Sequence, residues 1–156
     1  MRRRVGHLNR LCERVRADSS TFHLKPHSHY VGPCSVFADG YWNCCGVVIF
    51  GDNLVGVSHY DDETAGDGSF INEIIENLSG EIFGFAVGGD ERLYYWHERL
   101  LTERKVPLVA GLCDFYRKEE QEKDTKTLIV TPSPRKVIVN GVLGPVMIYL
   151  VSGKPI

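Results

Sequence analysis

The stretch from residue 43 to residue 60 constrains the fold more than any other part of the chain. It contains two apolar runs, at about 43–50 and 54–60, separated by Gly51-Asp52-Asn53. Asp, Asn and Gly are the residues that favour a tight turn between antiparallel strands. The stretch therefore predicts a β-hairpin with a cysteine pair, Cys44-Cys45, near its start and His59 near its end.

The turn length decides which cysteine shares a sheet face with the histidine. With Asp52-Asn53 as a two-residue turn, Cys44 lies diagonally next to His59 on one face, at about 5–8 Å, and Cys45 points to the other face. A three-residue turn or a bulge reverses the choice, because a slip of one residue flips every side chain. The cross-strand pairs expected for the two-residue turn are Phe50–Val55, Val48–Val57 and Gly46–His59.

A thiol beside an imidazole can form a nucleophile and base pair, because the thiolate is the reactive species and the imidazole generates it. Cys44 and His59 are therefore candidate catalytic residues, with Cys45 as the alternative nucleophile. Gly46, opposite the imidazole, is expected to leave open space for a substrate carbonyl. The structural alternative is a cysteine that packs as a small buried hydrophobe.

Composition narrows the class of protein. The chain has 156 residues, enough for one domain, and 43% of them are hydrophobic. A net charge of -2 argues against a nucleic-acid partner, and no apolar run approaches the ~20 residues of a membrane helix. The five cysteines are odd in number and form no CxxC pair, which favours a reducing compartment, the cytoplasm or the nucleus.

The first 20 residues carry an excess of arginine and are predicted to form a basic N-terminal helix or arm. The same composition is compatible with a mitochondrial transit peptide. We treat 1–156 as a single domain with this arm at its start.

The rest of the chain alternates between strand and helix patterns. Residues 21–33, broken by Pro26 and Pro33, predict a loop or an irregular edge strand. A helix is expected from a Ser69 cap to Gly80, with an apolar face of Ile71, Ile74, Ile75 and Leu78.

A second helix should follow an Asp90 cap, and His97 on its apolar face is expected to be a core histidine. The run 117–126 is nearly all charged and predicts a solvated loop. Further strands are expected at 83–87, 106–115, 127–132, 135–140 and 145–151. These elements predict an α+β sandwich of mostly antiparallel strands, with the two helices packed on one sheet face.

From Asp39 to Phe115, about half of the chain, the order of motifs resembles the protein N-terminal asparagine amidohydrolase family and, more distantly, CheD, the chemoreceptor glutamine deamidase. The matching segments are Asp39–Cys44, Val47-Val48-Ile49, Gly56-Val57-Ser58-His59 with Asp61, the Ile71–Leu78 helix, Val87-Gly88-Gly89, the helix after Asp90, and Leu108–Phe115. The resemblance implies a CheD-like fold in which the nucleophile falls on Cys44 and the base on His59.

The resemblance implies a deamidase that needs no cofactor or metal and acts on a peptide or protein substrate. The side-chain carboxamide of asparagine, most simply an N-terminal one, would be hydrolysed through a thioester, with protein-glutamine deamidation as the alternative. CheD has Gly-Ser before its cysteine and a threonine a few residues earlier, where this chain has Trp42-Asn43 and Ala38 or Asp39. The third, orienting residue is therefore open.

Further residues could orient the pair, bind the substrate or hold the oxyanion. Backbone N–H groups near Cys44 or in the 88–89 turn could stabilise an oxyanion, and an acidic residue could bind the substrate ammonium. The candidates are Asp39, Asn43, Gly46, Asp61, Asp62, Gly88, Gly89 and Asp90.

A function of another class also fits the sequence: a non-catalytic binding module that contains zinc. Imidazole and thiolate are zinc ligands, and the candidates are His23, His27 and His29 with Cys34 or Cys12. Their spacing matches no closed four-ligand pattern.

Overall fold

A computed structural model describes residues 13–14, 18–39, 44–88, 91–109, 127–140, 146–151 and 154–155. Along the chain, two helices, α1 (Phe70–Glu76) and α2 (Glu91–Glu103), are preceded and followed by strands, and the strands form two sheets. The strands are β1 (Phe22–Leu24), β2 (Ser28–Gly32), β3 (Val36–Ala38), β4 (Cys45–Phe50), β5 (Val55–His59), β6 (Phe83–Gly88), β7 (Thr127–Pro132), β8 (Arg135–Asn140), β9 (Val146–Val151) and β10 (Lys154–Pro155).

The two sheets pack through a shared apolar core. The four-stranded sheet has the order β2-β5-β4-β6 and is antiparallel, while the six-stranded sheet has the order β1-β3-β7-β8-β9-β10, with β1 and β3 parallel. The side chains between them include Val48, Phe50, Val55, Val57, Leu24, Val36, Leu128 and Val130. The predicted α+β sandwich is confirmed.

Both helices cover the other face of the four-stranded sheet. There, residues of β4 pack against the buried faces of α1 and α2, and the members of this cluster include Val47, Ile49, Ile71, Ile74, Leu100 and Leu101. Because β4 is buried on both faces, it reads as a continuous apolar run rather than an alternating one. Neither described helix has the length and apolar character needed to span a membrane.

The β4–β5 hairpin has the register expected for a two-residue turn. Phe50 pairs with Val55 and Val48 with Val57, and a further bridge joins Cys45 to Tyr60. Between the Val48–Val57 pair and the Cys45–Tyr60 bridge, each strand has two residues. The hairpin therefore contains no bulge that would exchange its faces.

Of the two alternatives for residues 21–33, the edge strand agrees with the structure, although there are two strands rather than one. These residues form two short strands, β1 and β2, and each lies at the edge of a different sheet. Pro26 falls in the turn between these strands and Pro33 after β2, so neither proline interrupts a ladder. The strand β3, which follows, was not predicted.

The first helix begins after Ser69, as predicted, but its cap and its end differ from the prediction. Ser69 has helical dihedral angles and its hydroxyl makes no capping hydrogen bond; its N–H donates instead to the Asp67 carboxylate at 3.0 Å. The helix ends at Glu76, before Gly80, because the following residues pack on the hairpin turn: the Asp52 N–H donates to the Ser79 carbonyl at 2.8 Å.

Other predicted elements agree with the structure as far as it describes them. The strands at 83–87, 127–132, 135–140 and 145–151 and the second helix are present within one or two residues. Of the predicted strand at 106–115, residues 106–109 are described and form one bridge, from Leu108 to Gly84. Residues 110–126, with Cys113, lie outside the described residues, as does the N-terminal arm apart from the helical pair Glu13-Arg14 and residues 18–20.

Candidate active site

The candidate catalytic residues meet at one end of the four-stranded sheet. Cys44 immediately precedes β4, His59 ends β5, and Gly88 ends β6. Gly88 pairs directly with Cys45, and Ser28 at the start of β2 pairs with His59. Antiparallel pairing thus brings segments distant in sequence to one edge.

The two cysteines lie on opposite faces of the sheet. Cys45 packs with Leu93 and Tyr94 of α2, and its bridge partner Tyr60 packs on Phe70 with ring centroids 4.5 Å apart. The side chains of Cys45 and Tyr60 therefore lie on the helix side, the face of the four-stranded sheet that the helices cover. Because side chains alternate along a strand, Cys44 and His59 belong to the side that faces the other sheet.

Both members of the Cys44–His59 pair are buried. Cys44 is 6% exposed and His59 is fully buried, including both of its ring nitrogens. The backbone on the far side of β5 is also fixed, because the His27 N–H donates to the His59 carbonyl at 2.7 Å. The register makes the two residues diagonal neighbours on adjacent strands.

Asp61 lies close enough to Cys44 to affect its ionisation. Burial raises the pKa of the Cys44 thiol, and the negative charge of Asp61 raises it further. The pKa of Asp61 is itself lowered, chiefly by the Thr64 hydroxyl, which donates to its Oδ1 at 2.7 Å. The aspartate is thus ionised and the thiol protonated at neutral pH.

The space expected beside Gly46 is absent. A Cβ atom built on this glycine would overlap the backbone carbonyl of Ser58. The strands approach closely here, and the Val47 N–H donates to the Ser58 hydroxyl at 2.9 Å. Gly46 is therefore needed for close strand approach, and the prediction that it leaves room for a substrate carbonyl is wrong.

The remaining candidates are divided between the two sheets. Gly88, with φ of 110°, adopts a conformation that favours glycine and adjoins the cysteine pair. Asp39 follows β3 in the six-stranded sheet, and its Oδ1 accepts a hydrogen bond from the Thr127 hydroxyl at 3.1 Å. Asn43, Gly89 and Asp90 lie outside the described residues.

The three histidines of the 23–29 segment have separate surroundings. His23 packs on Phe37, His27 bonds to the Thr64 hydroxyl at 2.9 Å, and His29 contacts Tyr60 and Glu73 at 2.6 and 2.8 Å. Among the residues that the structure describes, no group of three or more His, Cys, Asp or Glu side chains could hold a metal ion. Cys12 lies outside these residues.

His97 is the buried core histidine that was predicted. It is fully buried on α2, its Nδ1 donates to the Leu93 carbonyl at 2.7 Å, and burial lowers its pKa to about 4. The imidazole is therefore neutral at physiological pH.

A groove beside the site was not anticipated from the sequence. It has a volume of about 580 Å³ and lies between the 61–68 loop and the outer face of α2. The spacing of Arg92, Trp96 and Arg99 at i, i+4 and i+7 is the signal that could have indicated it.

Comparison of the chain with protein-family models finds no match, and neither does comparison with curated proteins. The likeness to the asparagine amidohydrolase and CheD families therefore stays a hypothesis based on the order of short motifs.

Proposed function

We propose that the protein is a cysteine amidohydrolase that converts the side-chain carboxamide of asparagine in a polypeptide to a carboxylate. The observation that carries the proposal is the hairpin register, which makes Cys44 and His59 diagonal neighbours on one face of the sheet. Cys45, on the opposite face, packs with α2 as a small core residue.

The raised pKa of Cys44 determines how the nucleophile must form. A protonated thiol attacks poorly, so the proton has to pass to His59 as the sulfur attacks the carboxamide carbon. The protonated imidazole then gives its proton to the leaving nitrogen, and ammonia departs from the tetrahedral intermediate, which leaves a thioester. Water, deprotonated by His59, hydrolyses the thioester to the carboxylate and restores the thiol.

The position of Asp61 supports an N-terminal asparagine as the substrate. In that residue the α-ammonium group lies only three bonds from the carboxamide carbon, so a carboxylate next to the nucleophile could pair with it. Asp61 is ionised and acts electrostatically on Cys44. It would bind the ammonium and, by doing so, offset its own unfavourable effect on the thiolate.

The proposed chemistry suits a reducing compartment, the cytoplasm or the nucleus, where a thiol stays free. Among the described residues, Cys34, Cys44 and Cys45 are not in disulfide bonds. The proposal includes a polypeptide substrate and no nucleic acid, cofactor or metal.

The test is ammonia release from three substrates: a peptide that begins with Asn, its N-acetylated form, and an unfolded protein rich in internal Gln. We expect release from the free Asn peptide and none from the acetylated peptide, which lacks the ammonium group. Release from the Gln protein alone would favour glutamine deamidation. If no substrate releases ammonia, or if Cys44→Ala retains the activity, the amidohydrolase proposal is wrong.

A further inference from the structure

The groove between the 61–68 loop and α2 is lined by arginine and aromatic side chains. Arg92, Tyr95, Trp96 and Arg99 come from one face of α2, and the lining also includes Leu93, Asp62, Ala65 and Gly66. Two guanidinium groups face one carboxylate, although the net charge of the chain is -2.

The charged groups of the groove are available to a ligand. The side chains of Arg92 and Arg99 are 85% and 66% exposed, and Tyr95 is 59% exposed. Arg92 pairs with Asp62 at 3.4 Å and Arg99 with Glu103 at 3.7 Å. Exposed pairs of this kind contribute little to stability, so an anionic ligand can replace them at small cost.

The groove begins next to the candidate active site. Asp62 follows Asp61, whose charge acts on Cys44, and Leu93 packs against Cys45. One chain step of about 3.8 Å therefore separates groove residues from residues of the site. Cys44 faces the other sheet and the groove lies on the helix side, so a polypeptide with its first residue at Cys44 would pass round the end of the sheet at Asp61 and Asp62 to reach the groove.

We propose that this groove binds the segment of the substrate that follows the target asparagine, and that it selects an acidic segment. Carboxylates of the substrate would pair with Arg92 and Arg99, and apolar atoms of the segment would pack on Trp96 and Tyr95. This inference rests on the proposed function, since it assumes that the substrate is a polypeptide held at Cys44.

The geometry of α2 sets the spacing of the acidic residues. Arg92 and Arg99 are seven residues apart on a helix, which corresponds to about 10 Å along its axis. An extended peptide covers the same distance in about three residues. The favoured substrate therefore carries two acidic residues at positions i and i+3.

The experiment compares kcat/KM for three Asn-initiated peptides that differ only at these two positions, which are Glu, Gln or Lys. We expect the Glu peptide to be favoured over the Gln peptide by roughly up to fivefold for each arginine, with the preference falling as salt is added. The double variant Arg92→Glu with Arg99→Glu should favour the Lys peptide.

The control is Lys105→Glu, which makes the same change of charge as each single arginine substitution, just beyond the end of α2 and outside the groove lining. It should leave the order of the three peptides unchanged. Equal kcat/KM for all three with the wild-type protein would overturn the groove assignment and leave the amidohydrolase proposal intact.

Binding separates the two proposals if no peptide releases ammonia. A fluorescent Gly-initiated peptide with the same Glu pair has no target carboxamide, so the effect of the double arginine variant on its anisotropy reports on the groove. Weaker binding to the double arginine variant than to the wild-type protein would support the groove. The same affinity for both proteins would overturn it.

Discussion

The two ends of the β4–β5 hairpin are built differently. At the closed end, defined by Phe50–Val55 and the turn between them, the ladder is regular, and Phe50 packs on Phe83 with ring centroids 5.6 Å apart. At the open end, defined by residues 44–46 and 58–61, the chain buries Ser58 and His59. In a regular ladder the Val47 N–H would donate to a backbone carbonyl of β5, but here it donates to the Ser58 hydroxyl.

The difference suggests that the closed end of the hairpin stabilises the fold, whereas the open end holds the residues of the proposed chemistry. Burial of aromatic side chains favours folding, whereas burial of an imidazole beside a thiol has a desolvation cost. The closed end should therefore contribute most of the stability of the hairpin, and the open end should tolerate a cost that serves the site. Four predictions test this division, from the largest expected effect to the smallest.

Phe50→Ala should lower the free energy of unfolding by about 3–5 kcal/mol, because it removes a fully buried ring from the closed end. Cys44→Ala at the open end removes a single sulfur atom and should cost much less. Urea unfolding of both variants checks the difference. Equal losses would contradict the division between the two ends.

His97, which packs on Phe70 beside the open end, should make stability fall with acid. Its pKa is about 4 in the folded protein and about 6.5 in the unfolded chain, so the unfolded chain binds more protons between these values. The free energy of unfolding should thus decrease by up to about 3 kcal/mol as the pH falls from 6.5 to 4.

His97→Gln keeps a donor for the Leu93 carbonyl but does not titrate, so it should remove this part of the pH dependence. His23→Gln, on the exposed side of β1, controls for the loss of a histidine. An unchanged slope in His97→Gln, measured by urea unfolding at several pH values, would show that another group is responsible.

Gly46→Ala should destabilise the open end by about 1–3 kcal/mol, because the new methyl group overlaps the Ser58 carbonyl. Gly66→Ala is the control: it meets no atom within 4 Å, and its φ of 60° carries only the left-handed backbone cost of about 1 kcal/mol. In thermal unfolding, the midpoint temperature of Gly46→Ala should be lower than that of Gly66→Ala. The reverse order would mean that the strands separate easily here.

Asp61→Asn should increase the rate at which iodoacetamide labels Cys44. It keeps the oxygen that accepts the Thr64 and Glu63 hydrogen bonds but loses the charge that raises the pKa of the thiol. More thiolate is then present at any pH below that pKa. Asp62→Asn, whose carboxylate pairs with Arg92, should leave the rate unchanged; a similar increase in both variants would point to loosening of the loop.

The sequence predicted the parts of the fold that local patterns determine. The turn residues and apolar runs predicted the hairpin register. The register in turn predicted on which face of the sheet the side chains of Cys44, Cys45 and His59 lie. Short strands were harder to predict individually: β1 and β3 have three residues each, too few for a period, and β2 is held by partners far along the chain. The contact from His29 to Glu73 illustrates such long-range support.

The sequence predicted the register that relates Cys44 and His59, but not the details of the candidate site around them. The space expected at Gly46 depended on how closely two strands approach, which is set by the Ser58 hydroxyl and not by residue type. The effect of the Asp61 charge on the pKa of Cys44 depends on where the 61–68 loop packs, and so does the groove along α2. These are tertiary features, and no local pattern encodes them.

The most direct test of the central claim compares Cys44→Ala and Cys45→Ala, both confirmed as folded by circular dichroism. The measurement is ammonia release from the Asn-initiated peptide. We expect Cys44→Ala to lose activity by a factor on the order of 10³ or more, and Cys45→Ala, on the helix side, to keep most of it. Activity that survives in Cys44→Ala and disappears in Cys45→Ala would contradict the assignment of the two faces.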